Sequence, residues 1–213
     1  MDPRIDPLLV IVLLVNFFSL GASRLRTVIS AVALQGVVLG VLVVLVHGEI
    51  AIRPALLAAG AIVLKGLVIP AMLEKAMRDA AIKREVEPYV GFIPSLLLGA
   101  LGTGLSLLFA RTLPLAPEHA GSMMVPASLA TVLTGFLVLT TRRKAINQVV
   151  GYLILENGIF IFGLLLVEAM PFLVEVGVLL DLFVGIFVMG IIVNHISRTF
   201  SSMDADNLTA LKD

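Results

Sequence analysis

The chain has 213 residues, of which 59% are hydrophobic and only 14% are charged, and its mean hydropathy is +1.09. Because a soluble domain is usually about 25% charged, these values argue against a soluble enzyme, a disordered chain or a nucleic-acid-binding protein. Fifteen basic and fifteen acidic residues balance to a formal charge of zero, so the charge indicates no partner. The absence of cysteine excludes disulfides, thiolate metal sites and iron–sulfur ligation by this chain. The composition predicts an all-α, polytopic membrane protein.

Seven apolar segments are long enough to cross a bilayer, which takes about 20 mainly apolar residues. The apolar runs are continuous rather than alternating, which is typical of membrane helices. The first segment is the least secure, because it is short and contains Asn16. The predicted spans cover residues 5–22, 27–47, 51–73, 90–110, 124–141, 145–167 and 171–195.

Apart from Lys65, the lysines and arginines lie outside the spans or close to their ends, and most of them collect on one side of the membrane. The positive-inside rule therefore places the N-terminus outside and the C-terminus in the cytoplasm. Eleven basic residues fall on the side predicted to be cytoplasmic: Arg24, Arg26, Lys75, Arg78, Lys83, Arg84, Arg142, Arg143, Lys144, Arg198 and Lys212. Three fall on the other side, namely Arg4, Arg53 and Arg111, and Lys65 lies within a span.

The sequence predicts a single transmembrane domain over residues 1–198 and a short cytoplasmic tail over residues 199–213. Residues 7–75 and 126–195 align as two copies of a three-helix unit. Each copy opens with a proline, an apolar span and a basic turn, PLLVIVLLVNFFSLGASRLR against PASLATVLTGFLVLTTRRK. Both copies run in the same direction, with an extra helix over residues 90–110 between them. Inverted repeats, which are typical of alternating-access transporters, are not suggested by the sequence.

Three ionisable side chains stand out because they lie away from the ends of the spans, namely Lys65, Glu156 and Asp181. In lipid such residues are a functional hypothesis by default. At about 1.5 Å of rise per residue they lie roughly 12, 15 and 20 Å from the cytoplasmic ends of their spans, which places all three in a middle layer. A carboxyl balanced between desolvation and a nearby lysine can take up and release a proton. We therefore expect a proton relay of Glu156 and Asp181 with Lys65 as charge partner; the alternative is a structural ion pair or hydrogen bond between helices.

Three further positions support this prediction. Asn157 extends a polar track beside Glu156, and Gln35 aligns with Glu156 in the repeat. Pro70 cannot donate a backbone hydrogen bond to Gly66, so we expect the third span to kink there and to open carbonyls to a wet interior. The sequence contains no nucleophile–base arrangement, phosphate loop or metal-ligand cluster, and we expect no catalytic residue, cofactor site or metal site in this chain.

The only substantial loop between predicted spans covers residues 74–89. It pairs opposite charges at helical spacing, as in Glu74 and Arg78. We expect the third helix to continue past the membrane and to stop near Pro88. The segment is either a solvated charged loop or a surface that docks a partner.

The C-terminal part of the chain resembles two related membrane subunits. Residues 141–166, TRRKAINQVVGYLILENGIFIFGLLL, and residues 175–196, EVGVLLDLFVGIFVMGIIVNHI, resemble the K subunit of NADH-quinone oxidoreductase and the C subunit of multi-subunit sodium/proton antiporters. In that family a basic turn precedes a helix with a buried glutamate, and the next helix carries a second buried carboxylate followed by glycine. Asp181, with Gly185 four residues later, matches the second position.

At the first position the chain departs from this pattern. The family has its carboxylate two residues after the glycine that matches Gly151, where this chain has Leu153, and Glu156 lies about one turn further. The chain length, the seven spans and the additional N-terminal helices resemble a narrower family, hydrogenase-4 component E, which is found in formate hydrogenlyase and related membrane-bound complexes.

This resemblance implies a non-catalytic membrane-arm subunit of a complex-I-like oxidoreductase, most closely a group 4 [NiFe] hydrogenase, in a bacterial or archaeal cytoplasmic membrane. The chain would hold no cofactor, and the [NiFe] centre and iron–sulfur clusters would lie in partner subunits. Its buried carboxylates would help to translocate protons or sodium beside antiporter-like subunits. Two alternatives stay open: a purely structural membrane scaffold, and a stand-alone cation/proton antiporter.

Overall fold

The computed structural model describes residues 3–47, 52–79, 86, 88–114, 121–166, 170, 176–177, 183 and 190. Over these residues the structure consists of helices joined by turns and short connections, which include an isolated β-bridge between Pro88 and Arg142. The elements in chain order are α1 (Ile5–Gly21), α2 (Leu25–His47), α3 (Ile52–Ala61), a π-helical segment (Ile62–Val68), α4 (Ile69–Asp79), α5 (Phe92–Ala110), α6 (Met124–Thr141) and α7 (Ala145–Leu165).

The first six predicted spans each coincide with described helices, within a few residues at their ends. Five of these are long and apolar enough to cross a membrane, and α1 is a shorter apolar helix of 17 residues. The prediction of an all-α, multi-pass membrane protein is therefore confirmed. The seventh predicted span, 171–195, and the tail, 199–213, lie outside the described residues except for a few isolated positions.

The third span is longer than its predicted range of 51–73. The chain is helical without interruption from Ile52 to Asp79, since α3, the π-helical segment and α4 follow one another directly. Its last turns carry charged side chains, as expected for a helix that continues past the apolar core of a bilayer. Val86 and Pro88 are no longer helical.

The helices bury two separate apolar clusters, one toward each end of the bundle. The first contains Ile5, Leu9, Val12, Leu13, Val38, Leu39, Leu42, Val43, Ala58, Ala61, Met124, Ala127, Ala130, Phe160, Ile161 and Leu164. The second contains Leu20, Leu25, Val28, Ile29, Val32, Ile69, Leu73, Met77, Val86, Val138, Ile146, Val149, Val150, Leu153 and Ile154. Along every helix that contributes to both clusters, the residues between them include a buried polar side chain. We call these the polar layer: Asn16, Gln35, Lys65, Thr131, Glu156 and Asn157.

Glycines allow the helices around the polar layer to approach closely. A Cβ added at Gly151 or Gly158 of α7 would lie 2.6 Å from a backbone nitrogen of α6, at Leu139 or Val132 respectively. A Cβ at Gly36 of α2 would lie 2.7 Å from the carbonyl carbon of Lys65. Small residues are the usual means of close helix packing in membranes, and here they bring together the backbones that carry the polar layer.

Candidate functional site

A buried ion pair lies at the centre of the polar layer. The Nζ of Lys65 is 2.8 Å from the Oε1 of Glu156, and the two residues are 5% and 2% exposed. Lys65 comes from the π-helical segment and Glu156 from α7, so the pair joins two helices far apart in sequence. Since an isolated charge is very costly to bury, the geometry explains how an apolar bundle accommodates both groups.

The π-helical segment that carries Lys65 is linked to Pro70. The Ile69 N–H bonds the carbonyl of Leu64, five residues earlier, which is the π-helical pattern. A proline ring clashes with the carbonyl one α-helical turn before it, and the wider π turn gives that carbonyl more room. Just before Pro70, where the sequence predicts a kink, the helix changes locally from α to π geometry and then continues as α4. Such π segments occur frequently at functional sites.

An aromatic ring completes the immediate surroundings of the ammonium. The Nζ of Lys65 lies 4.9 Å from the centroid of the Phe160 ring. Phe160 follows Glu156 by one helical turn on α7, so the two side chains lie on the same face. The carboxylate and the electron-rich face of the ring both favour a cation at this point.

The other members of the polar layer form a chain of hydrogen bonds that leads away from the ion pair. Lys65 donates to the Oδ1 of Asn157 at 3.5 Å, and Asn157 donates to the Oε1 of Gln35 at 3.3 Å. Gln35 donates to the Oδ1 of Asn16 at 2.7 Å, and Asn16 donates to the hydroxyl of Thr131 at 2.9 Å. This chain of hydrogen bonds therefore connects the π-helical segment to α7, α2, α1 and α6 in turn.

The structure brings four of the predicted positions into contact, namely Lys65, Glu156, Asn157 and Gln35. Pro70 is buried at the start of α4, just after the π-helical segment, and it is not a member of the hydrogen-bonded chain described above. Asp181 lies outside the described residues. Its role as a second relay carboxyl therefore stays a prediction.

Sequence reasoning missed two members of the polar layer. Asn16 carries a usable signal, because an amide in the middle of an apolar span needs a hydrogen-bond partner. Thr131 gave no signal, since a membrane-helix threonine commonly bonds its own helix, and here its hydroxyl also donates to the carbonyl of Ala127 at 2.7 Å.

A second buried cation, Arg142, lies at one end of the bundle, in the turn between α6 and α7. Its guanidinium donates to the carbonyl oxygens of Leu20 at 2.9 Å and Val90 at 3.2 Å, and it lies 5.2 Å from the Phe92 ring. The residue is 2% exposed. Burial lowers the pKa of Arg142, because desolvation disfavours the charged guanidinium.

Metal binding finds no support in the described part of the chain. Among these residues there is no group of three or more His, Asp or Glu side chains that could hold a metal ion, and the whole sequence lacks cysteine. The polar layer offers a charge pair and neutral hydrogen-bonding side chains.

Comparison of the sequence with known proteins identifies the family of the chain. The chain is 37% identical over 195 residues to Rv0085, an uncharacterized protein of Mycobacterium tuberculosis, in a match that covers 89% of this chain and 87% of that protein. It is 30% identical over 156 residues to hydrogenase-4 component E of Escherichia coli K12, covering 72% of this chain and 71% of that protein, and it matches the Shigella flexneri protein equally well. No family model and no solved structure matches the chain. The chain belongs to the hydrogenase-4 component E family.

Proposed function

We propose that this protein is a membrane-arm subunit of a complex-I-like respiratory complex, most closely a group 4 [NiFe] hydrogenase of the formate hydrogenlyase type, and that it contributes to proton or sodium translocation. The relatives in Escherichia coli and Shigella flexneri are by name components of hydrogenase-4, which supports placement in a hydrogenase-type complex. The [NiFe] centre and iron–sulfur clusters belong to partner subunits in this proposal.

The observation that carries the translocation role is the ion pair between Lys65 and Glu156. The two groups are 2.8 Å apart, nearly inaccessible to solvent, and enclosed between two apolar clusters. A carboxylate and an ammonium in contact exchange charge state when one proton is moved between them or to a third group. Glu156 is the relay carboxyl, Lys65 biases its protonation, and Asp181 is the next carboxyl in the path.

The first test is translocation by the purified complex in proteoliposomes. We expect Glu156→Gln and Asp181→Asn to abolish most ion translocation per turnover of the redox module, because a neutral amide cannot hold the transported proton. Glu74→Gln is the matched control, since Glu74 lies on α4 outside the polar layer. Unchanged translocation in both relay variants, with normal assembly, would refute the relay role.

The second test concerns the partners. Purification of the chain from its native membrane in mild detergent, followed by mass spectrometry, is expected to recover antiporter-like subunits and a hydrogenase module. Recovery with a different redox module would keep the relay and change the driving reaction. Recovery of the chain alone would overturn the subunit proposal, and transport by the isolated chain in liposomes would then identify a stand-alone cation/proton antiporter.

A structural scaffold is the second candidate, and the interhelical bonds at the ends of the bundle favour it. The Asp6 carboxylate of α1 accepts a hydrogen bond from the Met123 N–H at the start of α6, and Arg142 ties α6 to the ends of α1 and α5. In a scaffold, Glu156→Gln reduces the amount of assembled complex while translocation per assembled complex is unchanged. The ratio of those two quantities separates the candidates.

A further inference from the structure

The hydrogen bonds of the polar layer all point the same way. At one end an ammonium, Lys65, has donors and no acceptor, so Asn157 must present its oxygen to it. At the other end the Thr131 hydroxyl gives its single hydrogen to the carbonyl of Ala127, which can only accept. The Thr131 oxygen is thereby left to accept from Asn16.

These two ends set the orientation of the amides between them, and the Nε2 of Gln35 is fixed further because it also donates to the carbonyl of Val12 at 3.4 Å. Asn157, Gln35 and Asn16 each accept through oxygen from the side of Lys65 and donate through nitrogen toward Thr131. Their dipoles are therefore parallel, with each negative end directed toward the ammonium. In a low-dielectric interior, hydrogen bonds in such a chain polarise one another, so a charge at one end strengthens bonds several links away.

The same orientation makes the chain unsuitable for carrying protons. A neutral amide that accepts a proton on its oxygen and releases one from its nitrogen is left in the unfavourable imidic form. Movement of a proton along three successive amides would require that conversion at each of them, and reversal of the chain is blocked by the backbone carbonyl at its end.

We propose that Asn157, Gln35, Asn16 and Thr131 are positioning residues that form a one-way chain, which holds the positive charge of Lys65 opposite Glu156 and carries no proton itself. This deepens the proposed function, because it assigns the proton path to the carboxyl side of the ion pair. The chain itself depends only on the charge of Lys65 and not on the identity of the translocated ion.

A double-mutant cycle on the full-length chain in detergent tests this proposal. Its members are the wild type, Lys65→Met, Thr131→Val and the double variant, each assayed by size-exclusion chromatography after heating. Thr131→Val is expected to lower the unfolding temperature in both backgrounds. If the charge of Lys65 polarises the whole chain of hydrogen bonds, this decrease is smaller in the Lys65→Met background than in the wild type, by about 2 °C or more. Equal losses in both backgrounds would overturn the proposal.

Two controls distinguish the chain from local packing. Ser128→Ala removes a buried hydroxyl of the same helix, which donates to the carbonyl of Gly158 and is not part of the chain of hydrogen bonds. This variant should lower the unfolding temperature by the same amount in the wild-type and Lys65→Met backgrounds. Thr131→Ser keeps both hydrogen bonds and should stay within about 1 °C of the wild type. A loss with Thr131→Ser as large as that with Thr131→Val would show that the methyl group, and not the hydroxyl, is what matters.

A second cycle covers the case in which Lys65→Met does not accumulate. Asn157→Leu removes the hydrogen bond between Lys65 and Asn157 but keeps the ion pair between Lys65 and Glu156. In a cycle with Thr131→Val, the decreases in unfolding temperature should therefore be non-additive in the same way. The result of this stability cycle does not depend on transport. If the relay variants translocate ions normally in proteoliposomes, the expected non-additivity is unchanged. If the cycle is additive, the proposed role of Glu156 in translocation is unaffected.

Discussion

Lys65 and Arg142, the buried cations among the described residues, are stabilised in different ways. Lys65 meets a carboxylate and a side-chain amide in the middle of the bundle, whereas Arg142 meets two backbone carbonyls at its end. Both cations also lie at a similar distance from the centroid of an aromatic ring, 4.9 Å for Lys65 and 5.2 Å for Arg142. Burial and aromatic contact are therefore shared, and the acceptors are what differ.

That difference separates a group that can change state from one that cannot. Lysine and glutamate are residue types that exchange protons in proteins. A guanidinium stays protonated in proteins, and a backbone carbonyl has no proton to exchange. The acceptors of Arg142 are moreover fixed by the ends of α1 and the segment before α5. The proposed relay accordingly uses Lys65, whereas Arg142 joins the ends of neighbouring helices.

The largest effect is expected from breaking the ion pair. Lys65→Met should lower the free energy of unfolding by about 3–5 kcal/mol, because the buried carboxylate loses its principal counter-charge. The double variant Lys65→Met/Glu156→Gln should recover more than half of this loss, since neither charge is then buried. Thermal unfolding of the purified chain measures both, and a double variant as unstable as the single one would argue against mutual neutralisation.

Arg142→Met should lower the free energy of unfolding by about 2–4 kcal/mol, because the carbonyls of Leu20 and Val90 lose a charged hydrogen-bond donor. In contrast to the ion pair, no second side-chain substitution can restore the loss, since both acceptors are main-chain atoms. The neighbouring Arg143 is the matched control: it is exposed and contacts the Tyr89 ring at 4.7 Å. Arg143→Ala should cost under about 1 kcal/mol. Equal losses for the two arginines would contradict the assignment of Arg142 as the buried clamp.

The helix boundaries could be predicted because membrane crossing imposes a length on each apolar run. The roles of Lys65 and Glu156 as partners were also accessible, since buried opposite charges need one another. The sequence could not distinguish Arg142 from Arg143, which are identical residues side by side. Their difference arises from the turn after α6, which directs one of them toward the ends of α1 and α5.

The site was harder to predict than the helices because it depends on register between them. The bond from Gln35 to Asn16 requires α1 and α2 to pack at one particular offset, which single-helix periodicity does not specify. The π-helical segment before Pro70 is likewise a local response to packing and sterics. A sequence pattern can indicate that a proline disturbs a helix, but not which of several adjustments follows.

An intermediate effect is expected where the backbone of α2 approaches Lys65. Gly36→Ala places a methyl group 2.7 Å from the carbonyl carbon of Lys65, and this overpacking should cost about 1–3 kcal/mol. Gly60→Ala is the control on the neighbouring helix, because nothing lies within 4 Å of its added Cβ. That variant should be neutral or stabilising by up to about 1 kcal/mol, through helix propensity alone. A Gly36→Ala protein as stable as the wild type would show that the contact can relax freely.

The smallest effect sharpens the contrast between the two ends of α7. Asn147, in its first turn, is buried, and its Nδ2 has no hydrogen-bond acceptor among the described residues, whereas Asn157 joins the polar layer through both ends of its amide. Asn147→Leu should therefore change the free energy of unfolding by less than about 1 kcal/mol, or raise it, since no partner is left behind. Asn157→Leu should lower it by about 1–3 kcal/mol, because Gln35 loses its donor and Lys65 an acceptor. If thermal unfolding gave equal losses for both variants, polarity alone would explain them. A loss confined to Asn157→Leu would mean that buried amides stabilise this bundle only where they connect to the charge of Lys65.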